Sequence, residues 1–409
     1  MERRMNRNRL TIGTYILQEY ARSERHIKDL ADCGIDFVTS MANDRKALDL
    51  FEKYGVGAIV NGVVPGWWGG DGSNAGKLET SNPPEKYAEA AARFIDHPAI
   101  WGIDIGDEPS ALDFPYYGKV FRQVSELFPM QFPYLNLYPN YASVATNSGA
   151  QTVNQLGTAT YKEHIAEYVK HVPSDYICYD FYVYSTKVCK QFSNYEAVSD
   201  ACLRSGRSMW IVLQVNSLYP EKWISLRQLR YQANLALCYG AEVITWACYT
   251  AGWWKNQVLD ERGEKTEQYE KLRRVNRELR TLGEEYMRFR RVGTVLVGFS
   301  GREELDELPG YVSPEAFSCG YFKNVQAGGN PIAVGEMVSR TDPGERALMI
   351  CAAGDPQDKA PECVEITFES LNRNVQAFGG CGKLPLIKSA DGTYSVTAET
   401  GSGVLITSR

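Results

Sequence analysis

The sequence predicts a (β/α)8 TIM barrel followed by a small C-terminal antiparallel β-sandwich. Short apolar segments alternate with helical segments from residue 10 to residue 290. Gly34, Gly55 and Gly240 each separate a helical segment from the next apolar segment, as expected of αβ loops. A chain of 409 residues is also too long for one compact core. We therefore expect a barrel domain at residues 1–290 and a β-sandwich domain at residues 291–409.

The eight predicted barrel strands are short and apolar. They lie at residues 10–16, 35–40, 56–61, 100–105, 132–137, 176–181, 209–214 and 242–246. Ser23 is the expected N-cap of the first helix, which ends at Gly34. Pro83 and Pro84 begin a later helix, where a missing N–H costs nothing, and a long helix covers 266–288. Eight strands separated by helices fit a barrel better than an open doubly wound sheet.

The pattern changes after the long helix. Short β-type runs occur at 293–298, 347–353, 364–368 and 403–406, separated by Gly, Pro, Asp and Asn clusters. This spacing predicts an antiparallel sandwich. We expect it to have a structural role, with carbohydrate binding as the alternative.

Composition excludes several classes of function. The net charge of −6 argues against a nucleic-acid partner. No apolar run approaches the ~18–20 residues of a membrane span, and the basic start lacks the apolar stretch of a secretory signal. We therefore expect a cytoplasmic protein with no membrane partner. A secreted protein whose signal peptide has been trimmed from the sequence is the alternative. No Gly-x-Gly-x-x-Gly follows the first strand, so no dinucleotide cofactor is expected.

The ten cysteines do not have the spacing of a metal site or a disulfide framework. No Cys-x-x-Cys occurs, and the four histidines lie in helical segments or just after one. Free cysteine packs as a small buried hydrophobe. We therefore expect reduced core thiols and no metal, the buried ones being Cys33, Cys178, Cys202, Cys238 and Cys248.

Two adjacent carboxylates, Asp107 and Glu108, follow the fourth predicted strand. In a parallel barrel, active sites form at the carboxyl ends of the strands. Pro109 cannot donate to a ladder and therefore ends the strand, leaving Glu108 at the rim. A pair of carboxyl groups at this rim suits glycosidic bond cleavage, in which one acid protonates the leaving oxygen. Asp107 and Glu108 are the predicted catalytic residues.

Aromatic and amide side chains follow the other strands at the same rim. Sugars offer C–H faces for ring stacking and hydroxyl groups for hydrogen bonds, whereas a phosphorylated ligand would call for Arg and Lys clusters. The expected partner is therefore an oligosaccharide or glycoside substrate. The expected substrate-binding residues are Trp67, Trp68, Asn136, Tyr138, Asp180, Tyr182, Gln214, Trp246 and Trp253, with Trp254 beside the last.

The stretch from Trp101 to Asp107-Glu108-Pro109 resembles the Trp…Asn-Glu-Pro signature of clan A glycoside hydrolases, in which the glutamate is the general acid/base. The resemblance covers the whole chain in architecture but only short motifs in sequence. Asp107 departs from the family's asparagine. Gln214 stands where the clan places its nucleophilic glutamate, and an amide cannot attack an anomeric carbon.

The Asp-Glu pair is also similar to the dyad of β-N-acetylhexosaminidases of families 20 and 123. That resemblance implies that the substrate's own 2-acetamido oxygen is the nucleophile, with Asp107 orienting the acetamide and Glu108 protonating the leaving group. Tyr182 or Tyr184, together with Trp246, would complete the acetamido pocket.

Three hypotheses remain open from the sequence. The first is a retaining, substrate-assisted β-N-acetylhexosaminidase. The second is another clan A-like glycosidase, resembling β-galactosidases or β-glucosidases, or inverting with Asp180 as base, or using a loop nucleophile such as Glu221. The third is a glycan-binding barrel without turnover.

Overall fold

The computed structural model describes residues 4–69, 73–143, 154–185, 190–250, 254–299, 312–313, 315–353, 361–372 and 374–409. The predicted barrel is confirmed. Its strands are β1 (Thr11–Tyr15), β2 (Phe37–Ala42), β3 (Gly57–Asn61), β4 (Ile100–Asp107), β5 (Phe132–Asn136), β6 (Tyr176–Phe181), β7 (Ser208–Gln214) and β8 (Ala241–Ala247). They pair in parallel in the order β5-β4-β3-β2-β1-β8-β7-β6.

The helices surround this sheet, as in other (β/α)8 barrels. They are α1 (Glu24–Asp32), α2 (Arg45–Tyr54), α3 (Leu78–Ser81), α4 (Pro84–Ala92), α5 (Phe114–Leu127), α6 (Tyr161–His171), α7 (Lys190–Ser205), α8 (Leu226–Cys238) and α9 (Glu267–Tyr286). Ser23 is the N-cap of α1, but its hydroxyl contacts the His26 ring (3.0 Å) rather than the helix backbone.

The barrel closes between β5 and β6 with an isolated parallel bridge in place of a continuous ladder. The Leu137 N–H donates to the Cys178 carbonyl (2.9 Å). Pro133 in β5 has no N–H to contribute. The Tyr176 hydroxyl donates to the Pro133 carbonyl (2.8 Å) and accepts from the Leu135 N–H (3.0 Å). A tyrosine side chain thus replaces part of the ladder at the closure.

Two antiparallel sheets follow the barrel, as the sequence predicts. The larger sheet contains β9 (Phe289–Val297), β12 (Ile332–Ser339), β13 (Arg346–Cys351), β15 (Val375–Gly379), β16 (Gly382–Leu384) and β19 (Gly403–Ser408), with the short parallel strand β10 (Val312–Ser313) at its edge. The smaller sheet contains β11 (Phe322–Gln326), β14 (Cys363–Ser370), β17 (Ile387–Lys388) and β18 (Tyr394–Glu399).

The larger sheet is buried on both faces. Leu348 and Ile350 in β13 point to one side, where they share a core with Phe368 of the smaller sheet. Ala347 and Met349 alternate with them and join the hydrophobic core of the barrel. Successive residues of a strand face opposite sides, so one sheet takes part in two cores.

Polar contacts reinforce the attachment of the sandwich to α8. Arg230 of α8 is buried and pairs with Glu278 of α9 (2.5 Å) and with Glu399 of β18. Asn234, also in α8, donates to the Gly401 carbonyl (3.1 Å). The sandwich is therefore fixed to the outer helices of the barrel by packing, an ion-pair network and a hydrogen bond.

The described cysteines are free thiols, and the five expected in the core are buried. Within the ranges that the structure describes, none of the helices combines the length and the apolar character needed to cross a bilayer.

We predict that Gly335→Ala lowers the melting temperature by an amount equivalent to about 1–3 kcal/mol, because overpacking a rigid contact costs that much. A Cβ on Gly335 in β12 would lie 2.3 Å from the Cys238 carbonyl oxygen at the end of α8. Gly293→Ala is the matched control, since Gly293 lies on the neighbouring strand of the same sheet and its Cβ would meet nothing within 4 Å. Equal thermal melts for the two variants would contradict this close contact.

Candidate active site

Strand β4 contains an irregularity that shapes the mouth of the barrel. Asp104 pairs with Tyr134 of β5, but Gly106 pairs with the very next residue, Leu135, so Ile105 is an extra residue in the ladder. In a regular strand, Asp104 and Asp107 would point to opposite faces. The extra residue changes the alternation, and both carboxyl groups line the same pocket.

Glycine is required at position 106. Its φ is 155°, and a Cβ there would lie 2.2 Å from the Tyr117 hydroxyl and 2.6 Å from the Trp67 carbonyl oxygen. The Trp67 carbonyl in turn accepts from the Asp107 N–H (2.7 Å). Gly106 thus allows the loop after β3 to approach the backbone that carries the acidic pair.

Three residues at this rim adopt the left-handed backbone region without being glycine. Ile16 (φ 61°), Ser40 (φ 52°) and Glu108 (φ 45°) lie at the carboxyl ends of β1, β2 and β4. The Glu108 N–H donates to the Asn136 carbonyl (2.9 Å), which helps to hold this conformation. Such strained positions cluster at functional sites. Ser40 and Glu108 line one pocket, and Ile16 directly follows Tyr15, which also lines it.

The acidic side chains are connected by a small set of donors. The Asn136 amide nitrogen donates to both Asp107 (3.1 Å) and Asp180 (2.8 Å). Asp104 accepts from the Ser40 hydroxyl (3.0 Å) and from the Gly106 N–H (3.1 Å). The carboxyl groups of Asp107 and Asp180 therefore lie close together and share one amide donor.

These carboxyl groups share a pocket of about 270 Å³, and the described residues of its lining include no Lys, Arg or His. The lining residues are Tyr15, Ser40, Trp68, Asp104, Gly106, Asp107, Glu108, Tyr134, Asn136, Asp180, Tyr182 and Val212. Of the expected site residues, Asp107, Glu108, Trp68, Asn136, Asp180 and Tyr182 come together here.

Burial without a counter-ion raises the pKa values of the acids. It raises the pKa of Asp104 to about 7 and that of Asp180 to about 7, and the charge of Asp107 contributes to both shifts. Burial raises the pKa of Asp107 to about 6, opposed by the hydrogen bond from Asn136. The pKa of Glu108 is raised well above its ordinary value, first by burial and then by Asp180 and Asp107. Burial and the two neighbouring acids therefore favour the protonated form of Glu108.

The loop after β3 covers the acidic pair. Trp68 is 59% exposed, and its indole N–H donates to the Glu108 carboxylate (3.2 Å). The Gly69 N–H donates to the Asp107 carbonyl (3.0 Å), and a Cβ on Gly69 would lie 1.7 Å from the Glu108 carbonyl oxygen. The backbone contact made by Gly69 thus holds the preceding residue, Trp68, against Glu108.

A second, open cleft of about 550 Å³ adjoins the pocket. It is lined by Glu108, Tyr138, Pro139, Tyr141, Ala142, Ser143, Gln155 and Lys190. Glu108 is common to the two linings, so its side chain lies where the pocket meets the cleft. Tyr138, expected to bind substrate, belongs to this cleft.

Two expected pocket residues are placed elsewhere. Trp246 is fully buried, and its indole N–H donates to Asn276 of α9 (2.8 Å), so the ring points out of the barrel. Gln214 is buried and is absent from the pocket lining. Its amide accepts from the Tyr184 N–H (3.1 Å) and donates to the Ser185 hydroxyl (3.0 Å). Neither side chain is among the residues that line the acidic pocket, and the polar atoms of both are bonded within the fold. Substrate contact by Trp246 and Gln214 stays a prediction.

The remaining aromatic residues differ in position. Trp67 packs against the barrel core, and its indole N–H lies 3.4 Å from Asp113. The Tyr184 hydroxyl donates to the Gln228 carbonyl (2.8 Å), and Tyr184 is not among the residues that line the acidic pocket. Trp254 contacts Tyr182 edge-on, with ring centroids 4.5 Å apart. Trp253 lies outside the described residues.

Sequence reasoning missed Asp104 and Ser40. A charged residue inside an otherwise apolar strand was the available signal for Asp104, since such a residue is seldom buried without a purpose. Nothing in the sequence around Ser40 pointed to the site. Among the residues that the structure describes, no three His, Cys, Asp or Glu side chains form a group able to hold a metal ion.

No protein-family model and no curated protein matches the chain. Solved structures with a similar fold include a glucosidase from Croceicoccus marinus, with 9% identity, a TM-score of 0.46 and coverage of 98% of this chain and 96% of that one. Xylanase 10B from Thermotoga maritima has 13% identity, a TM-score of 0.43 and coverage of 66% and 95%. A glycoside hydrolase family 5 mannosidase from Rhizomucor miehei has 11% identity, a TM-score of 0.42 and coverage of 64% and 91%. At these values the likeness extends to neither substrate nor site residues.

We predict that Asp104→Asn stabilises the protein at pH 8. The folded-state pKa of Asp104 lies above its unfolded value, so the native state binds more protons between about pH 4 and pH 7 and loses stability as pH rises through this window. Removing the charge should raise stability at pH 8 by on the order of 1–3 kcal/mol and have little effect at pH 4.

Thermal melts at both pH values test this, with Asp32→Asn on the exposed surface of α1 as the control. A destabilised Asp104→Asn at pH 8 would show that its two hydrogen bonds outweigh the cost of the buried charge.

Proposed function

We propose that this protein is a glycoside hydrolase in which Glu108 is the general acid. The observation that carries the proposal is that Glu108 lines both the acidic pocket and the open cleft. A glycosidic oxygen bound at this junction would have its sugar ring in the pocket and its leaving group in the cleft. A proton donor at the scissile bond needs this position.

The pKa pattern supports the same role. The pKa of Glu108 is raised well above its ordinary value, while that of Asp107 is about 6. Burial and two neighbouring acids thus favour the protonated form of Glu108, whereas the hydrogen bond from Asn136 favours the ionised form of Asp107. Carboxyl groups whose environments separate their pKa values in this way commonly serve as acid and base.

Asp180 is the second catalytic carboxylate in this proposal. It has a larger electrostatic effect on the pKa of Glu108 than Asp107 has. It is 3% exposed, and Asn136 and the Tyr141 hydroxyl donate to it. Glu108 would give its proton to the leaving oxygen as the glycosidic bond breaks. In the same displacement, a water molecule would lose its proton to Asp180 and bond to the anomeric carbon on the face opposite the leaving oxygen, so that centre is inverted.

The pocket also restricts the substrate. Among the residues that the structure describes, its lining contains several carboxyl groups and no cationic side chain. A uronic acid or a phosphorylated sugar would bring another negative charge into this lining and would be repelled. We therefore propose a neutral sugar ring as the group held in the pocket.

A second candidate is the substrate-assisted β-N-acetylhexosaminidase. The observation that favours it is Asp107, which is directly adjacent to Glu108, lines the pocket and has the lower pKa. An ionised Asp107 could orient an acetamide N–H so that the substrate carbonyl attacks the anomeric carbon. Without Trp246 and Tyr184, an acetamido group would have to rest on Tyr15, Tyr134 or Tyr182.

We predict that Glu108→Gln lowers turnover of glycosides with poor leaving groups by about 10²–10⁴-fold, the usual contribution of general acid catalysis. Activated aryl glycosides should lose much less, because their leaving groups need little protonation. Rates on both substrate types test this, and Glu126→Gln on the exposed surface of α5 is the control. Equal losses on the two types would remove Glu108 from the role of acid. Glycan binding without turnover in the wild type would favour a binding protein.

We further predict that Asp180→Asn abolishes turnover more completely than Asp107→Asn, and that the first product formed has the opposite anomeric configuration to the substrate. Proton NMR of the early product gives the configuration, and kcat on matched substrates with and without a 2-acetamido group gives the specificity. Retention, an acetamido requirement and a greater loss in Asp107→Asn would together replace the inverting scheme with the substrate-assisted one.

A further inference from the structure

The loop between β7 and α8 presents large apolar side chains to solvent on the catalytic face of the barrel. Leu218 is 43% exposed, Tyr219 is 53% exposed and Trp223 is 37% exposed. These three residues are called the rim platform. They follow the carboxyl end of β7, the end at which barrel active sites form. Contiguous exposed apolar groups on a protein surface often mark a binding site.

The backbone of this loop is firmly held. Ser217 and Lys255 exchange two backbone hydrogen bonds, at 3.1 and 2.8 Å. The Asn256 amide donates to the carbonyls of Tyr219 and Lys222, both at 3.2 Å. The exposed rings are therefore carried by an ordered loop, and a ligand that binds them would have little backbone to immobilise.

Both ends of the loop are tied to α9 as well. The buried Gln268 amide donates to the carbonyls of Val215 (2.8 Å) and Ile224 (3.2 Å), which flank the platform. The ammonium of Lys222 lies 5.0 Å from the centre of the Tyr219 ring, and that of Lys271 lies 5.6 Å from the Trp223 ring. These contacts help to orient the rings.

The loop that carries the platform is paired with the segment that contacts the wall of the acidic pocket. Tyr182 lines the pocket and contacts the Trp254 ring at 4.5 Å. The residue after Trp254 is Lys255, which pairs with Ser217, the residue before Leu218. Aromatic groups and a shared bridge thus lead from the pocket wall to the exposed rings.

We propose that the rim platform binds further sugar units of an oligosaccharide whose cleaved residue occupies the acidic pocket. This inference rests on the proposed glycosidase function. Tyr219 and Trp223 offer ring faces to the C–H surfaces of pyranose rings, as aromatic side chains combine a large apolar surface with a polar group. The Lys222 ammonium beside the Tyr219 ring would donate to a hydroxyl of a sugar bound there. The preferred substrate is then a chain of several units, not an isolated glycoside.

The test compares the full-length wild type with Tyr219→Ala and Trp223→Ala. Substrates are the aryl monoglycoside that the wild type hydrolyses and oligosaccharides of two to six units of the same sugar. For each variant, the ratio of kcat/KM on the longer oligosaccharides to that on the aryl glycoside should fall about three- to tenfold. Ile387→Ala, a 68% exposed residue of β17, should leave the ratio unchanged. An unaltered ratio in both platform variants would overturn the proposal.

A binding measurement separates this inference from the proposed function. Calorimetric titration of the oligosaccharide into Glu108→Gln, alone and combined with Tyr219→Ala or Trp223→Ala, needs no turnover. We expect Kd to rise about three- to tenfold in the double variants, with thermal melts confirming that each is folded. Unchanged Kd values refute the platform even if the enzyme is a glycosidase. If the wild type cleaves no glycoside but Tyr219→Ala or Trp223→Ala still weakens oligosaccharide binding, the catalytic proposal is refuted and the platform is supported.

Discussion

The extra residue in β4 between Asp104 and Gly106 directs the side chains of both Asp104 and Asp107 into one pocket. The rest of the site depends on this irregularity. Once two carboxyl groups share that space, their charges must be moderated without a cation, and the Asn136 amide and the Ser40 hydroxyl supply part of that moderation. The same irregularity requires glycine at 106, which lets the loop after β3 approach. Backbone geometry, electrostatics and loop position thus have a common origin.

Crowding acids in this way has a functional logic. Burial first, and the charges of Asp107 and Asp180 second, raise the pKa values in the pocket, so it retains protons at a pH where isolated carboxylic acids have lost theirs. A site of this kind can keep a proton donor and an ionised carboxylate side by side. The indole of Trp68 adds a polar contact at the edge, where the acid meets solvent.

Much of the fold was predictable from the sequence, because strand-helix alternation and glycines at the αβ loops are local signals. The location of Asp107 and Glu108 at the mouth followed from the barrel prediction. The directions of Trp246 and Gln214 did not, because strands buried on both faces carry no polar alternation to separate inside from outside. Asp104 was missed for a different reason: a bulge changes the phase of a strand through long-range pairing, which a single segment does not reveal.

The larger C-terminal sheet, which takes part in two cores, has a consequence for how the chain folds during synthesis. Strand β19 lies between β13 and β15 in this sheet, and its Leu405 belongs to the core that it shares with the barrel. Every other described element leaves the ribosome before β19. The apolar surface of α8 must therefore wait for the most C-terminal strand before it is fully covered. A nascent barrel would be exposed to aggregation or chaperone capture throughout that interval.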